Sequence, residues 1–157
     1  MEYNYNKNNR FNKVFKTEAE ILAETKSAFH SLQFKAEWII KGATEEMVTA
    51  ADKAGKYMAE NELTSSKIRS VYGEIKRIQM KGFDEEKTAF YLLKPKVAYA
   101  VGREKLKDKQ KIKGILLFQL IFNECFKYVT DDATYKNFCN LMEAILAYHK
   151  AYVPKDN

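Results

Sequence analysis

Proline and glycine are scarce in this chain of 157 residues, at two and six, and a turn-rich β architecture is excluded on that ground. Histidine is scarcer than chance use of a metal would allow: His30 and His149, with two well-spaced cysteines, make no zinc pattern of three or four ligands. Cys125 and Cys139 both fall in apolar, helical-looking segments, where cysteine behaves as a small hydrophobe. No structural disulfide is expected, and a reducing cytoplasm is the expected compartment. No run of eighteen apolar residues occurs, and Gln119 interrupts the longest candidate, Ile115 to Phe122. Neither a membrane span nor a signal peptide is read from the polar, asparagine-rich residues 1–16. Phosphate-binding glycine loops, nucleophile elbows and dinucleotide fingerprints are missing as well. Neither an enzyme nor a cofactor is called for.

What the chain does have is helix-forming residues and a localised positive charge. Ala, Glu, Lys, Leu and Ile are abundant, and the class reads as all-α. The chain is long enough to bury roughly 70% of its unfolded surface in one domain. Residues 1–16 are expected to be a disordered polar arm, and 17–153 a compact bundle of five to six helices. Thr17 with Glu20 resembles a capping box and predicts a helix over 17–40, closed by Gly42. Further helices are predicted over 44–61, 65–80, 84–102, 109–130 and 132–152, with the fourth bent or broken at Pro95 and stopped at Gly102.

The net charge is +6, and Lys94 to Lys113 alone hold eight basic and two acidic residues, so the rest of the chain sums to zero. Such a patch on a neutral body is the footprint of a polyanion-binding protein. Its second half is a comb of lysines at 105, 107, 109, 111 and 113, expected to form a loop leading into the fifth helix.

Helical phase sharpens the patch. Ile68, Val71, Tyr72, Ile75 and Ile78 share an apolar arc, with Arg69, Tyr72 and Lys76 along one edge. Around Pro95 the buried arc is Phe90, Leu93, Val97, Ala100 and Val101, and Lys96, Tyr99 and Arg103 fall within about 60° of one another beside it. Both helices therefore repeat one spacing: a cation, a tyrosine three residues on, and a cation four further on. Such an edge can pack the ring against the bundle while the hydroxyl and charges reach phosphates or sugars. A solvated helix edge is the bland alternative. In the last helix His149 lies within the apolar stripe of Tyr135, Phe138, Leu141, Met142 and Ile145, and is read as a satisfied core histidine. Asp131 and Asp132 sit where a helix start favours carboxylates.

Three segments in order resemble one family: Leu63-Thr64-Ser65-Ser66-Lys67-Ile68-Arg69, then Leu92-Leu93-Lys94-Pro95-Lys96-Val97-Ala98-Tyr99-Ala100-Val101-Gly102-Arg103, then Glu143-Ala144-Ile145-Leu146-Ala147-Tyr148-His149-Lys150. Their order and spacing are similar to the small subunit of the type III-A (Csm) CRISPR-Cas interference complex. Phe34-Lys35-Ala36-Glu37-Trp38 is a weaker opening match, so the resemblance covers residues 34–152. Lys67 departs from the glutamine expected there and adds charge.

The resemblance implies an all-helical, non-catalytic subunit of an antiviral ribonucleoprotein. It would stack in several copies beside guide RNA and target RNA, against the large subunit and the backbone subunits. In that family RNA cutting belongs to the backbone subunits, and DNA cutting and cyclic oligoadenylate synthesis to the large subunit. Carried onto this chain, Arg69, Lys96, Tyr99 and Arg103 become RNA-contact candidates, joined by Lys67 and Lys76 from the charged edge of the same helix. Glu143 to Lys150 are expected to pack or to meet other subunits. A complex that accepts any guide must hold backbone and A-form shape, not bases. Two rival readings are a freestanding helical nucleic-acid binder and a structural adaptor that meets acidic protein surfaces.

Overall fold

The computed structural model describes residues 15–154. Among them are seven α-helices and no strand: α1 (Glu18–Ser31), α2 (Glu37–Ile40), α3 (Glu45–Glu60), α4 (Ser65–Lys81), α5 (Lys87–Lys107), α6 (Lys113–Phe126) and α7 (Asp132–Tyr152). The all-α class stands. Of the polar arm expected over residues 1–16, only Phe15 and Lys16 lie within the described residues. The Lys16 backbone exchanges two 2.9 Å hydrogen bonds with the Gln110 side-chain amide.

Helix starts follow their capping residues. Thr17 Oγ1 accepts from the Glu20 amide at 3.1 Å, and Thr44 Oγ1 from the Met47 amide at 3.2 Å. Asp131 and Thr134 make a reciprocal box at the start of α7, with the Thr134 amide 2.8 Å from Asp131 Oδ1 and the Asp131 amide 3.1 Å from Thr134 Oγ1. The carboxylate pair at that point is thus a helix start, as its position suggested.

One expected helix is two. The segment 17–40 breaks after Ser31, Gln33 takes a positive φ of 52°, and α2 begins at Glu37. A continuous helix would set Leu32 and Phe34 about 200° apart, on opposite faces. The break instead lets both Leu32 and Phe34 pack against the core, where the Phe34 ring lies edge-on to Trp38 with centroids 5.3 Å apart. This division gives seven helices where five to six were expected.

The opposite correction applies at Pro95. Helix α5 runs unbroken through Pro95 and Gly102 to Lys107. Proline removes one amide donor, the one that would bond the Tyr91 carbonyl. Both residues lie on the exposed face, where water can serve that carbonyl, while Phe90, Leu93, Val97 and Val101 hold both halves of the helix in the core. The lysine comb is accordingly no loop: Lys105 and Lys107 end α5, Lys109 and Lys111 form a single 3-10 turn, and Lys113 opens α6.

Helix α7 is the central element. It crosses α3 at Gly55, where an added Cβ would lie 2.6 Å from the His149 amide nitrogen and 2.8 Å from the Ile145 carbonyl oxygen. Only glycine permits so close a crossing. An aromatic cluster fills the space between α5, α6 and α7, with Phe90 stacked on Phe126 at 4.5 Å and Phe83 on Tyr135 at 5.5 Å. The Tyr135 hydroxyl donates to the Ile75 carbonyl at 2.6 Å, which ties α7 to α4. These ties determine where α4 and α5, the two helices with the cation-tyrosine spacing, come to rest.

Candidate nucleic-acid interface

The N-terminal end of α4 is fastened from three directions. His149, buried in α7, donates through Nε2 to the Leu63 carbonyl at 2.5 Å; a carbonyl only accepts, so the proton sits on Nε2. This is the satisfied core histidine that its place in the stripe implied. Lys67 Nζ donates to the Glu62 carbonyl at 2.8 Å and lies 3.4 Å from Glu104 Oε2. Glu104 is only 5% exposed, on the inner face of α5, so this ion pair joins the two helices near their contact. Lys107 approaches the other Glu104 oxygen at 3.6 Å.

Between α4 and α5 lies a groove of about 400 Å³. Buried Val71 and Ala100 form its bottom, and Leu92 and Pro95 one apolar side. Ser66 and Ser70 of α4 supply hydroxyls opposite them. Lys96, Tyr99 and Arg103 line the same groove from α5, all exposed, Tyr99 at 71%. Phasing placed these three on one edge, and the structure places that edge on a groove. Among the described residues neither Lys96 nor Arg103 has an ion-pair partner.

Arg69 is on the other flank of α4. With Tyr72 it lines a second groove of about 230 Å³, closed by Leu146, His149 and Lys150 of α7. Arg69 too has no ion-pair partner among the described residues. Lys76, one turn beyond Tyr72, is 3.3 Å from Glu143 of α7 and 5.9 Å from the Tyr72 ring centroid. That contact pushes the Lys76 ammonium up from its ordinary value, the Glu143 hydrogen bond being the main cause. Glu143, expected to pack or to meet other subunits, thus meets Lys76 within the fold.

The six candidate residues therefore divide three ways. Lys96, Tyr99 and Arg103 gather at one groove, which Lys67 also lines, and Arg69 borders another. Lys67 and Lys76 are committed to carboxylates within the fold. Arg77, not a candidate, is likewise engaged: Glu74 and Glu86 hold it at 2.6 and 3.2 Å and push its guanidinium further up.

Three of the five comb lysines meet carboxylates of α1. Lys105 and Lys109 approach the two Glu18 oxygens at 3.8 and 3.6 Å, and Lys113 lies 3.2 Å from Glu24. Two cations, Lys113 and Lys16, hold the Glu24 carboxyl below its usual range, the Lys16 hydrogen bond first. Lys94, at the head of the patch, lies 5.4 Å over the Phe126 ring. Three of the eight basic residues of the patch thus tie it to α1.

The apolar side of the first groove escaped sequence reasoning. Its signal was present in the spacing of Leu92, Pro95 and Tyr99, three and then four residues apart on the face opposite Phe90, Leu93 and Val97.

Fold and surface together define a small all-helical protein that, among the described residues, carries cations outside any ion pair on two helix edges. A family model described as Csm2 Type III-A matches residues 41–155, about three-quarters of the chain and all six candidate residues. The chain belongs to that family, a small subunit of the type III-A Csm CRISPR-Cas complex. Helix α1, whose carboxylates meet the comb, lies outside the matched span. No curated protein and no solved structure matches the chain. Among the described residues no helix is long and apolar enough to cross a membrane, and no group of three potential metal ligands occurs.

Proposed function

We propose that this small subunit holds the backbone of guide RNA and target RNA without sequence preference and supports assembly of its complex, with no catalytic step of its own. The observation that carries the reading is the alignment of Lys96, Tyr99 and Arg103, exposed and outside any ion pair among the described residues, along one groove in the family-matched span. Arg69 adds a contact from the other flank of α4. Three cations that meet phosphates release counterions, and that makes the affinity salt-dependent but blind to sequence. The large subunit, the backbone subunits and further copies of the chain are the protein partners, and the cytoplasm is the site of action.

For about three neutralised phosphates on a single strand, log affinity falls with log salt at a slope near −2, roughly a twentyfold loss over a fourfold rise in salt. The combined substitution Arg69→Ala, Lys96→Ala and Arg103→Ala is expected to flatten that slope and weaken RNA binding by the full-length chain and its complex. Unchanged affinity and slope in the triple variant would overturn the reading. Tagged-chain copurification followed by RNA extraction and crosslink mapping tests the rivals. Crosslinks to protein alone favour an adaptor, and tight RNA binding without other subunits favours a freestanding binder.

A further inference from the structure

Tyr99 exposes 71% of its surface and Leu92 52%, yet both line the groove with Lys96 and Arg103, which have no ion-pair partner among the described residues. A large aromatic side chain left in water between two cations has no role in the packing of its own bundle. Along α5 the order is cation, ring, cation, with Lys96 and Arg103 separated by about 10 Å of helix axis and Tyr99 between them. That order matches a strand in which phosphates alternate with an unstacked base. The groove is sized for a small ligand, about 400 Å³, at the lower part of the range of small-ligand sites. Leu92 and Pro95 offer a second apolar surface facing the same space, and Ser66 and Ser70 offer hydroxyls to a base edge or a ribose.

From this geometry we infer that the groove between α4 and α5 takes one unpaired base of a single RNA strand, stacked on the Tyr99 ring against Leu92 and Pro95. Lys96 and Arg103 hold the phosphates on either side of it. The inference rests on the RNA-backbone reading above and deepens it, because it commits the groove to a strand with a free base over a fully paired duplex. Stacking tolerates any base, so the groove remains blind to sequence. Charge alone would equally suit an acidic protein segment. The exposed ring set between two cations and the small volume favour the nucleotide.

The test uses the full-length chain and two fluorescent oligouridylates, one intact and one with abasic sites along its length. Tyr99→Phe keeps the ring, and Tyr99→Leu removes it at a site where no core contact is lost. On the intact strand Tyr99→Phe is expected to bind as the wild type does and Tyr99→Leu between about fivefold and a hundredfold more weakly. On the abasic strand all three bind alike, and the salt slope is the same for all. Equal binding of Tyr99→Leu and wild type to the intact strand, as an acidic protein occupant would give, overturns the stacking. So does an equal loss on both strands, which would mark a general distortion. If those results come with the expected flattening in the triple charge variant, the stacking fails and the backbone reading stands. If the wild type binds neither strand, both fail.

Discussion

Lys67 Nζ lies 3.4 Å from Glu104 Oε2, and this one contact bridges α4 and α5 at the groove between them, which Lys67 itself lines. A lysine that reads in sequence as added charge for a polyanion is, in the fold, the counterion of a nearly buried carboxylate. Lys67 itself is 19% exposed.

Lys67→Ala should therefore behave as a stability variant. Breaking a buried pair costs roughly 3–5 kcal/mol, and with Lys107 still 3.6 Å from Glu104 the expected loss is about 2 kcal/mol. Lys96→Ala and Arg103→Ala should leave the urea midpoint unmoved. Equal midpoints for Lys67→Ala and wild type would remove the structural role assigned to Lys67.

Glycine substitutions separate sharply. In Gly55→Ala the new methyl meets backbone atoms of α7 at 2.6 and 2.8 Å and the Tyr148 Cβ at 2.7 Å, none of which is the mobile end of a side chain. A loss above about 3 kcal/mol is expected, by displacement of the two packed helices. Gly73 and Gly102 meet nothing within 4 Å, and alanine at either should stabilise its helix by about 0.5–1 kcal/mol. Thermal denaturation of the three variants tests the contrast.

A pH effect should arise where α4 ends. Asp84 shares a hydrogen bond with Asp132, and that bond, then the like charge, pushes the Asp84 carboxyl above its ordinary value. Because folding favours the protonated form, the stability from this group is complete below about pH 4 and is lost as pH rises through the raised folded value. Asp84→Asn retains a donor toward Asp132 and carries no charge. Its Tm should exceed that of the wild type at pH 7, and the gap should close as pH falls below about 4. A gap that widens with acid would refute the sign.

The two thiols should be silent in the native protein. Cys125 and Cys139 are free and buried; burial pushes the Cys139 thiol up to about 11 and the Cys125 thiol higher. Thiolate reagents at pH 8 should label neither over minutes and both once urea unfolds the chain. Rapid native labelling would contradict the core placement of the final two helices.

The parts of the fold legible in sequence are those governed by neighbours within a turn or two. Thr17, Thr44 and Asp131 mark helix starts, Gly42 and Gly82 mark ends with φ of 123° and 101°, and the stripe from Tyr135 to His149 faces the core. The break after Ser31 was not legible, because it serves the packing of both Leu32 and Phe34 against a core built from later helices. Pro95 misled because propensity argues for a break, and buried side chains on both sides, Phe90 and Leu93 before it and Val97 and Val101 after it, override it. At the site, phase identified the Lys96, Tyr99, Arg103 edge. Which cations were already engaged depended on partners far along the chain, Glu143 for Lys76 and Glu18 for Lys105 and Lys109. Periodicity carries no trace of such pairings.

The division of Arg69 from Lys96 and Arg103 by the body of α4 has a consequence for counting. A helix with its own Arg69 on one flank and Lys96 and Arg103 of α5 on the other makes the surface bivalent: a strand seated on one side leaves the other open. Once the first contact forms, a ligand long enough to pass around the helix meets the second at an effective concentration set by its tether, not by bulk solution. Short oligonucleotides would then sense only one flank, and the avidity of this subunit would grow with the length of the strand it is given.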